Sequence, residues 1–168
     1  MSTTLTANLR VSAVASYASG QDAGSAKYDL PYQKLMAFVD GAGLGAAQKM
    51  WFDQRTIAAS GSENLDLSGV LVDAFGNTLA LTKVKALLFF AAAGNTNNVV
   101  VGGAASNAFA TPFGDATDTV SVKPGGMLLL VAPDAAGYAV TAATGDILKV
   151  ANSGGTTGVT YDVLILGV

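Results

Sequence analysis

Chemistry in this chain would have to come from carboxylates, hydroxyls and lysines, because its 168 residues include no histidine and no cysteine. The commonest general base, the commonest metal ligand and the thiol nucleophile are therefore missing. A hydrolytic pair of carboxylates would be drawn from Asp53, Glu63, Asp66, Asp115 and Asp118, and no spacing sets two of them apart from the rest. A serine nucleophile activated by lysine would need Ser-x-x-Lys, and a strained nucleophile turn would need Gly-x-Ser-x-Gly; neither occurs. Glu63, Asp66 and Asp73 suggest a calcium cluster only by type, since their spacing fits no helix-loop-helix calcium loop. Gly41-Ala42-Gly43-Leu44-Gly45-Ala46 matches the glycine pattern of a dinucleotide-binding turn, with Glu63 downstream. That pattern works by opening a helix onto a pyrophosphate, yet Trp51–Ile57 already reads as the next strand, so a flexible Gly/Ala loop is expected instead. Asp53 and Arg55 lie two apart on that strand and face the same way, where they can pair. Trp51, Tyr138 and Tyr161 have the rings for a sugar-stacking platform, but aromatics of a β-rich domain more often fill its core. The sequence thus assigns no catalytic, cofactor or metal-binding residue, and a non-enzymatic protein is expected.

The elements that would position any site are strands. Charged residues make up 12% of the chain and hydrophobic ones 51%, where an ordinary domain carries about 25% charged. A surface so poor in charge suggests that part of it faces protein. Net charge is −3 and the nine lysines and arginines are scattered, which argues against nucleic acid as a partner. The N-terminal residues have neither the basic start nor the apolar stretch of a secretory signal. The longest strictly apolar run, Ala86 to Ala93, falls far short of the roughly 20 residues of a membrane-crossing helix, so no membrane is expected as a partner.

Leu5, Ala7, Leu9, Val11, Ala13, Ala15 and Tyr17 alternate with more polar residues, which reads as a long strand or an arm reaching a neighbouring subunit. Leu5, Leu9 and Val11 are its candidate interface residues. Gly20 to Ala26 reads as a loop, Tyr28 to Tyr32 with Pro31 as an edge or connection, and Leu35 to Val39 as a short strand. Further strands are expected at 84–91, 98–101, 119–123, 127–132, 137–141, 147–150 and 159–166, with turn residues between most of them. Lys123-Pro124-Gly125-Gly126 predicts a type II turn joining two neighbouring antiparallel strands. In the last segment Tyr161, Val163 and Ile165 share one face and Leu164, Leu166 and Val168 the other. Both faces need cover, so this strand is central or is closed by a partner subunit. The fold class read from this rhythm is all-β, an antiparallel β-sandwich forming one domain over residues 1–168, with 1–20 a possible N-terminal strand or arm.

Leu65-Asp66-Leu67-Ser68-Gly69 with Asp73-Ala74-Phe75-Gly76, then Val99-Val100-Val101-Gly102-Gly103, Val122-Lys123-Pro124-Gly125-Gly126 and Tyr161-Asp162-Val163-Leu164-Ile165-Leu166-Gly167 resemble segments of tailed-bacteriophage virion structural proteins. Over about Trp51 to Val168 the chain resembles jelly-roll capsid cement or decoration proteins. The resemblance implies a jelly-roll-like sandwich, the major capsid protein as partner, and self-association as a homotrimer, or else a dimer. It further implies assembly in the host cytoplasm and a final place on the capsid surface of the virion. No site residue carries over, because such proteins act through surface area. A tail, baseplate or vertex component shares these strands, and a carbohydrate-binding adhesion module is the competing class.

Overall fold

The computed structural model describes residues 3–168, and every regular element among them is a strand. In chain order these are β1 (Ala7–Gln21), β2 (Gly24–Asp40), β3 (Ala46–Ala47), β4 (Lys49–Ile57), β5 (Ser62–Asp66), β6 (Lys83–Ala91), β7 (Val99–Gly102), β8 (Thr119–Val122), β9 (Met127–Val131), β10 (Tyr138–Ala139), β11 (Ile147–Asn152) and β12 (Val159–Gly167). They form three sheets. In the largest, β4, β12 and β6 lie side by side, and β9 and β10 both pair with the far edge of β6; the second runs β5-β11-β7-β8. All pairings within these two sheets are antiparallel.

Period-two alternation explains why these two sheets share one core. Trp51, Ile57, Leu87, Phe89, Tyr161, Val163 and Ile165 point inward from the first, and Leu65, Val99, Val101, Val122, Leu148 and Val150 from the second, all in a single buried cluster. The last strand, β12, is central between β4 and β6. Its other face is covered as well, since Leu166 is fully buried in a second, smaller cluster with Phe38, Ala47 and Ala86.

The Lys123–Gly126 turn forms as expected, with Gly126 N donating to Lys123 O at 2.7 Å and Gly125 at φ 71°. What it joins differs from the expectation. β8 pairs with β7 and β9 with β6, so the turn carries the chain from one sheet to the other. The Gly41–Gly45 segment is likewise a loop, pinned by Gly45 N donating to Pro133 O at 2.7 Å. A bulge helps to hold it: the β6–β12 register slips between Leu166 and Gly167, leaving Lys85 without a partner on β12. The slip turns Lys85 into the body, where it is fully buried and its Nζ donates to the carbonyls of Gly43 and Asp134. Desolvation lowers the pKa of this ammonium.

The third sheet revises the reading of the first 40 residues. β1 and β2 form one long hairpin, paired without irregularity from Ala7↔Phe38 to Gln21↔Gly24. Gly20, Gln21 and residues 24–26 belong to the strands rather than to a loop, leaving only Asp22 and Ala23 as the turn. Tyr28–Tyr32 and Leu35–Val39 are parts of one 17-residue strand. Pro31 fits inside it for a definite reason. Val39 N donates outward, to Gly45 O beside β3, so the odd-numbered residues of β2 turn their N–H groups away from β1. At Pro31 the missing N–H therefore falls on the open edge, where no ladder bond is lost.

Candidate functional site

The residues with chemical potential are tied into structural tasks. Arg55 on β4 donates from Nη1 to Asp53 Oδ2 (2.9 Å) and from Nε to Glu63 Oε2 (2.6 Å). The pairing of Asp53 with Arg55 is the one expected from their spacing. Glu63, on β5 of the opposite sheet, completes the arrangement by accepting a hydrogen bond from Tyr161 Oη at 2.9 Å. This clasp ties β4, β5 and β12 together across the layers. Its guanidinium is held by the two carboxylates far above the range in which it would lose a proton, which makes it a fixed cation. Burial, then the Glu63 carboxylate, pushes the Tyr161 hydroxyl well up from its ordinary value.

Of the other candidate acids, Asp118 is exposed and makes no side-chain hydrogen bond among the described residues, while the rest are engaged. Asp66 accepts from Ser68 N, and Ser68 Oγ donates to the buried Asp146 at 2.5 Å. The Ser68 hydroxyl, helped by the Ala143 amide, holds Asp146 below the usual carboxylate range against the opposing effect of burial. Asp73 caps its own turn by accepting from the amides of Asn77 and Phe75, and Asp115 does the same with Thr117. Glu63, Asp66 and Asp73 thus take separate partners, and no group of three or more metal-ligating side chains converges among the described residues. Asp146→Ala leaves the Ser68 hydroxyl and the Ala143 amide without their acceptor and lowers stability by about 1–3 kcal/mol at neutral pH. In urea titrations the deficit shrinks as the pH falls below about 4, where the unfolded wild-type chain takes up this proton while the folded carboxylate, its pKa lowered, still resists it.

The aromatic trio is interior. Trp51 and Tyr161 are core residues and Tyr138, half-buried, packs against the same core, with the Phe89 and Tyr161 ring centroids 5.6 Å apart. A shallow groove of about 410 Å³ runs between residues 3–5, β4 and the Asp73–Leu79 turn. Its charged groups are already engaged, Lys49 with the Ala80 carbonyl and Asp73 within its turn.

What the chain does build is apolar surface on its outside. In an antiparallel pair, residues directly opposite share a face. One face of the hairpin therefore carries Ala7, Leu9, Val11, Ala13, Ala15 and Tyr17 beside Phe38, Met36, Lys34, Tyr32, Leu30 and Tyr28. At its root this face lies on the body: Leu5, Ala7, Leu9, Met36 and Phe38 cover Ala86, Val131, Leu164 and Leu166. Of the candidate interface residues, Leu5 and Leu9 are thus half-buried against their own chain, and Val11 is half-buried where the contact ends. From residue 12 to the tip every residue is exposed, Tyr17 at 79% and Tyr28 at 66%. At about 3.3 Å per residue the free part projects roughly 30 Å.

The body continues the same chemistry. Row by row across the outer face of the large sheet lie Met50, Leu166, Ala86 and Val131, then Phe52, Leu164, Leu88 and Leu129, and finally Gln54, Asp162, Phe90 and Met127. The hairpin root covers Leu166, Ala86, Val131 and Leu164, whereas Met50 is 47%, Phe52 62% and Met127 60% exposed. The alternation of β1 was visible in the sequence. The matching alternation of β2 from Ala26 to Phe38 was equally present and went unread because Pro31 and the small residues before it imply breaks. Comparison with family models, with curated proteins and with solved structures found no match.

Proposed function

We propose that this chain is a non-enzymatic virion structural protein of a tailed bacteriophage, one that binds the outer shell of the capsid and stabilises it as a cement or decoration protein. The observation that carries the reading is the distribution of apolar surface: an exposed sheet face and a projecting arm, in a chain whose buried lysine and best-placed carboxylates, Glu63 and Asp146, hold the fold. A protein arranged this way acts through area. Each contact removes apolar surface from water at about 25 cal/mol per Å², and many symmetric copies add their contributions.

The finer fold assignment is a jelly roll. Two sheets ordered β4-β12-β6-β9 and β5-β11-β7-β8 support it. So does the path of the chain, which changes sheet at each step from β4 to β9 except between β7 and β8, and again from β11 to β12. An eight-stranded jelly roll is a pair of such interleaved sheets. The major capsid protein is the partner in this reading, and the virion surface the location.

Quantitative mass spectrometry of purified virions, expressed as copies of this chain per major capsid protein, tests the proposal. Hundreds of copies per particle are expected. A dozen or fewer would move the chain to the tail or a vertex, and complete absence would leave a free carbohydrate-binding module, to be pursued on a glycan array.

A further inference from the structure

We infer that the free part of the hairpin docks on the outer face of the large sheet of a second copy of this chain, over the rows that its own root leaves bare. The chain already contains the contact in miniature. Root residues Leu9, Met36 and Phe38 sit on Ala86, Leu164 and Leu166 of their own sheet, so the hairpin face and the sheet face are complementary in chemistry. Past Lys34, which sits opposite Val11, the hairpin face is apolar again through Ala13, Ala15 and Tyr17 opposite Tyr32, Leu30 and Tyr28, with nothing beneath it. The sheet face also runs on, through Phe52, Phe90 and Met127, with nothing above it. Every copy therefore carries one unfilled half of each kind.

A second copy is favoured over a different protein because this interface would extend one the fold already makes. Its size is also adequate. Three tyrosines and a leucine, with aromatics able to bury about 150–250 Å² each, give roughly 500 Å² on the arm. With the sheet it covers, that is about 1,000 Å² per arm, and in a two-membered ring, where both arms cross the same interface, the total reaches the roughly 1,200–2,000 Å² of stable interfaces. Contact of arm with face joins two different patches, so it closes as a ring when the rotation allows, each subunit giving one arm and receiving another.

The arm has a register-matched site for removal. Since the even-numbered residues of β2 turn toward β1, Val11↔Lys34 is a hydrogen-bonded pair, on which a two-residue turn can close. A chain with Asn-Gly in place of residues 12–33 keeps Leu5, Leu9, Met36 and Phe38 on the body and loses only the free part. By sedimentation velocity at micromolar concentration the native chain is expected to be an oligomer, while the shortened chain sediments as a monomer whose buried Trp51 keeps the native fluorescence maximum. Phe52→Lys, on the receiving face of the full-length chain, is expected to give the same monomer with its arm intact. A native chain that is monomeric, a shortened chain that remains oligomeric, or a Phe52→Lys chain that assembles normally would each overturn the inference. The outcome is separable from the proposed function. A chain abundant in virions yet monomeric alone removes the arm exchange and keeps the virion role, whereas an arm-dependent oligomer absent from virions does the reverse.

Discussion

Alanine in place of Phe89 lowers the unfolding free energy by about 3–5 kcal/mol, the usual cost of emptying a phenylalanine site in a packed interior. Phe89 sits on the central stretch of β6, fully buried, with its ring against Tyr161. Both sheets close over it, so the void has rigid walls on two sides and little freedom to collapse. Against the 5–15 kcal/mol of a whole domain this is a large fraction, and in a chain of this length it lowers the melting temperature by roughly 10 °C. Urea titration measures it, and Phe90→Ala is the internal control. Phe90 is the next residue along β6 but points outward and is 40% exposed, so its truncation costs clearly less, about 1–2 kcal/mol. Equal losses at the two positions would contradict the assignment of faces on β6.

The second large effect is at high pH. In the unfolded chain Tyr161 ionises near pH 10, while in the folded chain burial, reinforced by the Glu63 carboxylate, keeps it protonated well beyond that. A group whose pKa is raised by folding contributes its full stability below the unfolded value. As the pH climbs past about 10 the unfolded state alone gives up this proton, and stability falls by about 1.4 kcal/mol per pH unit. By pH 12 the loss approaches about 3 kcal/mol from this one hydroxyl. Tyr161→Phe sacrifices the hydrogen bond to Glu63, worth about 1 kcal/mol at neutral pH, and abolishes that part of the alkaline slope. Guanidinium titrations of the two proteins at pH 8 and pH 11.5 compare them directly. Parallel curves at both pH values would show that Tyr161 titrates as freely in the fold as out of it.

Strands of the body were legible because their inward positions alternate and their turns carry residues suited to them. Leu87, Phe89 and Ala91 on β6, and Tyr161, Val163 and Ile165 on β12, announce a buried face without reference to any partner. Which strands lie together was not legible. The Lys123–Gly126 turn has the right residues for its geometry, yet turn chemistry fixes only four residues and is silent on whether the strands it joins share a sheet. The clasp was half visible for the same reason: Asp53 and Arg55 are near neighbours on one strand, whereas Glu63 and Tyr161 are 98 residues apart, and only the fold brings them together. The arm was misread in its second strand because Pro31 and the run Gly20–Ala26 are breakers in most settings. A two-stranded ribbon with an open edge is the setting in which they are not. Of the candidate interface residues, Leu9 and Val11 lie on β1 and Leu5 just before it, but the sequence could not say that Leu5 and Leu9 serve the root and that the bare stretch begins beyond Val11.

The central position of β12 also sets the tempo of folding. β4 finds its only neighbour within the large sheet in β12, and the side-chain contact between Gln54 and Asp162 spans 108 residues of sequence. Neither β4 nor the inner edge of β6 can complete its ladder until that distant segment arrives, and the cost of closing so long a loop precedes any reward from the contact. Chains dominated by such remote pairings fold in milliseconds to seconds rather than microseconds. Meanwhile the β1–β2 hairpin, whose two strands are joined by a two-residue turn, can form within about 1–10 μs. The arm is thus expected to take shape well before the body on which its root will rest.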